Sequence, residues 1–146
     1  IALTPGLRLI NPQPLQEKQL QAIVAGLSQP RQGFSALPNV KLELAQIRAQ
    51  IPSNILLNNE FTSTALQNQI NSLPFPVVHL ATHGQFSSKA EETFIVAWDK
   101  RIYVNELDDL VRNREQNKPD AVELLVLSAC ETAAGDKRAA LGIAGV

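Results

Sequence analysis

Short, nearly continuous apolar runs alternate along the chain with longer segments whose apolar residues recur at helical spacing. LQAIVAGL (Leu20 to Leu27), VVHLA (Val77 to Ala81) and VELLVL (Val122 to Leu127) are runs of the length and composition of strands buried on both faces. The first ends in the turn-like SQPRQG. The second follows Pro74 and Pro76 and breaks at Thr82-His83-Gly84 into the polar loop QFSSKAEE, and the third runs into Ser128-Ala129-Cys130. After a loop over Phe34 to Leu37, Val40, Leu44, Ile47 and Ile51 fall on one helix face, with Asn39 as N-cap and Pro52 as stop. A second helix, headed by Thr62 or Ser63, presents Leu66, Ile70 and Leu73. A third, capped by Asn105, presents Leu107, Leu110 and Val111 and closes in NREQNKPD.

Three weaker signals complete the pattern. Ile55 to Leu57 reads as a short strand, and Ile1 to Ile10 as another ahead of the breakers Asn11, Pro12 and Pro14. Thr93 to Trp98 and Arg101 to Val104, joined by Asp99-Lys100, read as a hairpin that decorates a sheet rather than builds it. Helices between buried strands predict an α/β fold, a three-layer α-β-α sandwich with a mainly parallel sheet. Ligands of such sheets bind outside the carboxyl ends of the strands.

Composition narrows the partners. The 146 residues are the size of one domain, and 45% hydrophobic content supports a single core. Thirteen basic against fourteen acidic side chains, with no polybasic run, argue against nucleic acid. No apolar run is long enough to span a membrane and the N-terminus lacks signal-peptide character, so a cytoplasmic chain is expected. The absence of methionine and the stop inside the apolar LGIAGV lead us to expect a piece of something larger, cut at both ends.

The one cysteine can form no internal disulfide and no Cys-rich zinc site, which leaves packing or reactivity for Cys130. A thiol attacks a carbonyl as its thiolate, and a nearby imidazole can generate that thiolate and later protonate the leaving amine. His83 and Cys130 stand at the ends of two apolar strands, separated by roughly the 50 residues that divide His from Cys in caspases. If those strands are neighbours, both side chains reach one edge of the sheet. Gly84 lets a backbone N-H approach a substrate carbonyl, and with the Cys130 amide it would form a two-donor oxyanion hole. No metal or organic cofactor is required, and neither a G-x-G-x-x-G nor a G-x-x-x-x-G-K-[ST] nucleotide motif occurs.

The runs VVHLATHGQF and ELLVLSACETAAGD, followed by LGIAGV, closely resemble the CHAT domain, a caspase-like peptidase module of clan CD often found downstream of tetratricopeptide repeats. The family's histidine in an ATHG block corresponds to His83, and its cysteine in an SAC-x-T block to Cys130. The resemblance covers nearly the whole chain, including TPGLRL and the hairpin with Trp98, and implies that residues 1–146 are the central part of one such domain. It further implies a protein or peptide substrate and a regulatory repeat domain in the parent protein. An inactive interaction module on the same fold is the alternative.

Other residues carry plainer expectations. His79 shares a strand face with His83 but lies inside the strand, where a core hydrogen bond is expected. Glu131 and Asp136 read as solvated loop acids, Thr82 and Ser128 as partners of loop backbone, and Trp98 as hairpin packing.

Overall fold

A computed structural model describes residues 20–72, 74–117, 122 and 124–131, with the backbone alone for 113–117, 130 and 131. The expected strand at Ile1 to Ile10, the helix position Leu73 and Asp136 lie outside the described residues. β1 (Ala22–Gly26) leads through a loop to α1 (Val40–Gln50), β2 (Ser53–Leu57) and a 3-10 turn, Asn58–Glu60. α2 (Ser63–Ser72), β3 (Val77–Gln85), β4 (Phe94–Val96), β5 (Arg101–Tyr103), α3 (Val104–Asn117) and β6 (Leu124–Glu131) follow.

The six strands form one sheet. β2, β1, β3 and β6 are mutually parallel neighbours in that order, and β4 and β5 continue antiparallel from the upper end of β3. Gly84 pairs with Glu131 of β6 and with Ile95 of β4, so β4 occupies the side of β3 that β1 vacates at Gly26.

Helices cover both faces, giving the three layers expected of a caspase-like sandwich. On one face Val40 and Leu44 of α1 pack on Ala22, Val24, Val77 and Ala81. On the other, Leu66 and Ile70 of α2 and Leu107, Leu110 and Val111 of α3 pack with Ile23, Ala25, Val78 and Leu80. Each buried Val, Leu or Ile among them contributes roughly 1.5–3 kcal/mol by leaving water. The period-two alternation along β1 and β3 thus feeds two half-cores. Gly26 permits the closest approach, since a Cβ there would meet Val40 Cγ1 at 2.6 Å and the Ala81 carbonyl oxygen at 2.7 Å. No helix among the described residues is long and apolar enough to cross a membrane.

Local expectations shift in four places. β3 does not break at Thr82 but runs to Gln85, and β6 runs to Glu131, because β4 and β6 supply ladder partners that polar residues can use as well as apolar ones. The hairpin joins the sheet instead of decorating it. Its closing bond runs from Ala97 N-H to Lys100 O at 2.9 Å, which makes Trp98 and Asp99 the turn residues. Asn39 has helical backbone and makes no side-chain cap bond. Asn105 lies inside α3, which starts at Val104, while Thr62 Oγ1 accepts from Ala65 N-H at 3.1 Å and is the cap of α2.

Candidate active site

β3 and β6 are adjacent parallel strands whose register pairs Ala81 with Ser128, Thr82 with Ala129, and His83 with Cys130. Partnered positions in a parallel pair share a face, about 4.8 Å apart across the ladder. The sheet therefore brings the two residues to one register position at its carboxyl edge.

His83 is 4% exposed, and its environment selects a tautomer. Nε2 lies 2.6 Å from the Ser35 carbonyl oxygen. A carbonyl can only accept, so Nε2 carries the proton, and in the neutral ring Nδ1 is left with its lone pair. Nδ1 is buried and has no hydrogen-bond partner among the described residues. The Phe34 ring stacks on the imidazole, with centroids 4.9 Å apart and planes 27° from parallel.

A tight turn delivers Phe34 and Ser35 to this position. Arg31 and Phe34 exchange backbone bonds of 3.1 and 2.9 Å around Gln32 and Gly33, both at positive φ (52° and 85°), as a two-residue turn with left-handed central residues demands. The turn is tied to the β4-β5 hairpin: Arg31 Nε donates to Trp98 O and Gln32 Nε2 to Ala97 O, each at 2.8 Å, and the Arg31 guanidinium lies 4.1 Å from the Trp98 ring centroid. Behind it, buried Asn58 (φ 54°) accepts at Oδ1 from Ser28 N-H (2.8 Å), Ser28 Oγ (3.2 Å) and Gln29 N-H (3.2 Å). The left-handed conformation that asparagine tolerates aims its amide back at the end of β1.

The family model of the CHAT domain matches residues 1–146. The chain belongs to the CHAT domain family. No curated protein matches the sequence. The crystal structure of protein GSU0716 from Geobacter sulfurreducens is similar in fold, with a TM-score of 0.52 at 14% identity over 79% of this chain and 52% of that one. The chain thus spans about half the length of that protein. The CHAT domain is a caspase-like, peptidase-related module.

The remaining candidates of this CHAT domain fall as follows. Gly84 lies within the sheet, where a Cβ would meet the Phe86 ring at 3.1 Å and Ala129 Cβ at 3.2 Å, so packing alone gives a reason for glycine. His79, on the same strand face as His83, bonds through Nε2 to Glu43 Oε1 of α1 at 2.7 Å. Thr82 Oγ1 donates to Val96 O at 2.5 Å, and Ser128 is exposed. Glu131 is the last residue of β6 rather than part of a loop. Trp98 donates its backbone N-H to Phe61 O at 2.8 Å and is half-buried against the core. No group of three or more His, Cys, Asp or Glu among the described residues could hold a metal ion.

The charged groups around the edge serve structure. Asp99 accepts from Ser63 N-H (2.8 Å) and Ser63 Oγ (2.6 Å), pinning the hairpin turn to the start of α2. Partial burial pushes its carboxyl up, but hydrogen bonds from Ser63 and from the Asp99 and Lys100 amides outweigh this and hold it below the usual range. Glu106 is likewise held low, first by the Lys100 ammonium and then by the Tyr103 N-H. Sequence reasoning missed Phe34, Ser35 and Asn58. The Gln32-Gly33 pair and the Asn58-Asn59 repeat were the available signals, both being turn chemistry.

Proposed function

We propose that this CHAT domain is a cysteine endopeptidase acting on protein or peptide substrates through Cys130 and His83. The observation that supports this is the register pairing of His83 with Cys130, beside an imidazole whose buried Nδ1 has no hydrogen-bond partner among the described residues. In the reaction Nδ1 takes the thiol proton and the Cys130 sulfur bonds to the substrate carbonyl carbon, placing negative charge on its oxygen. The Gly84 and Cys130 amides, expected as donors to that oxyanion, sit in the ladder between β3 and β6 and are spent there. Collapse breaks the C-N bond, and the leaving amine takes the proton from Nδ1. Water, deprotonated by His83, then hydrolyses the thioester and restores the thiol. Throughout, the Ser35 carbonyl accepts from Nε2-H, stabilising the imidazolium as it forms, while Phe34 fixes the ring plane.

A repeat domain elsewhere in the parent protein is the regulator we assign, on family resemblance. The test is proteolysis of a peptide library by the full-length parent. Cys130→Ala and His83→Ala should each reduce cleavage by about 10³-fold or more. Undiminished cleavage in both variants overturns the dyad.

A further inference from the structure

The sheet face that carries His83 continues sideways onto the hairpin. Gln85, Phe94 and Tyr103 are cross-strand partners, so by the alternation of the pleat Val96 and its partner Arg101 lie on the same face as Gln85 and His83. Two strand spacings, about 10 Å, separate the His83 and Arg101 backbones. Aromatic rings pave that interval. The exposed Arg101 guanidinium lies 4.5 Å from the Phe94 ring centroid and 6.0 Å from that of Phe34, the ring stacked on His83.

Among the described residues the guanidinium has no carboxylate of its own. No ion pair or side-chain hydrogen bond engages Arg101 among the described residues, and the two acids nearest in sequence are committed: Asp99 to Ser63, and Glu106 to Lys100 and the Tyr103 amide. Arg31, the other cation on this edge, spends its Nε on the Trp98 carbonyl. An exposed arginine is ordinarily just solvated. This one is held by two rings on the flank of the candidate base away from Cys130, with its planar fork of donors uncommitted among the described residues, the arrangement that recognises a carboxylate in a defined direction.

We propose that Arg101 is a specificity residue of this edge, its guanidinium pairing with an acidic side chain of the substrate within about four residues of the scissile bond, since about three strand spacings separate it from Cys130. The assignment rests on the peptidase reading, but it can be measured apart from it. The full-length parent carrying Cys130→Ala is presented with matched peptides that differ only by Asp against Asn, one position at a time, and binding is read by fluorescence anisotropy. The same pairs are offered to the protein with Cys130 intact, and cleavage is read.

At one position the Asp peptide should bind about tenfold more tightly than its Asn counterpart, a difference that narrows as salt is raised. Arg101→Gln should abolish that preference, Arg101→Glu should turn it toward Lys, and Arg101→Lys should keep part of it. Equal behaviour of every pair, an absence of peptide binding included, overturns the proposal. So does a preference that survives Arg101→Gln. An arginine-dependent acid preference without any cleavage by the Cys130 protein would leave Arg101 standing and remove the peptidase reading. Should Arg101→Glu fail to fold, as judged by its melting curve, the Gln and Lys variants decide the matter.

Discussion

His79 and His83 stand four residues apart on one face of one strand, yet the structure treats them in opposite ways. His79 lies in the lower half of β3, between β1 and β6, and meets a carboxylate from the helix above it, Glu43. His83 lies in the upper half, between β4 and β6, and meets a neutral carbonyl, that of Ser35. An imidazole that donates to a carboxylate is anchored by a charge-assisted hydrogen bond. One that donates to a carbonyl is oriented without a counter-charge, and its second nitrogen remains available to take a proton. On the proposed peptidase reading, the difference between a structural and a catalytic histidine comes from what lies opposite Nε2.

The sharpest way to break this contrast is to remove each ring in turn. His83→Ala should reduce peptide cleavage by the parent about 10³-fold. His79→Ala should leave kcat/KM within about threefold and cost about 1 kcal/mol of stability, seen in chemical denaturation. Equal losses of activity would mean that the two histidines are not functionally distinct.

A second substitution tests the support behind the upper level. Asn58→Ala removes the acceptor of three hydrogen bonds to Ser28 and Gln29 and leaves alanine at φ 54°, and it should destabilise the fold by about 2–3 kcal/mol. Thermal melting would then drop by several degrees, and an unchanged melting temperature would show that the clamp is dispensable.

Phe34→Ala sharpens the contrast more gently. Without the ring that stacks on His83, kcat should fall about tenfold with KM altered less, because the imidazole loses orientation rather than substrate contacts. A rise in KM alone would instead make Phe34 a substrate contact.

The smallest expected effect belongs to Asp99, which joins the hairpin to α2. Its carboxyl titrates below the unfolded value, so the link contributes fully above about pH 4 and is lost as pH falls through the lower folded value. Because Asp99 is exposed, Asp99→Asn should cost no more than about 1 kcal/mol at neutral pH and should flatten stability against pH only in that acid window. A stability loss that persists unchanged at pH 2 would mean that charge is not what matters there.

The lower half of the sheet was legible because burial on both faces demands continuous apolar runs such as AIVAG and VVHLA, and such runs announce themselves. The upper half was not. Thr82 to Gln85 and Ala129 to Glu131 have no strand-like composition and extend only because other segments pair with them, one of them the three-residue β4. The His83 and Cys130 positions were legible as the ends of strands, with the motif residues around them. Their orientation was not, since the Ser35 group that holds the imidazole is a main-chain carbonyl, which every residue possesses and no side chain advertises. Arg101 was read simply as hairpin, because its position beside His83 follows from pairings that no local pattern encodes.

The neighbours on both flanks of β3 have a consequence for hydrogen exchange. Amides of β3 from Val78 to Ala81 lie between strands that must separate before deuterium can enter, so their exchange should report global unfolding. The turn over 31–35 is tied down by a few side-chain bonds at the rim and can open on its own. The imidazole therefore stands two residues above a stretch expected to exchange slowly, while the carbonyl that aims it belongs to a turn expected to exchange faster.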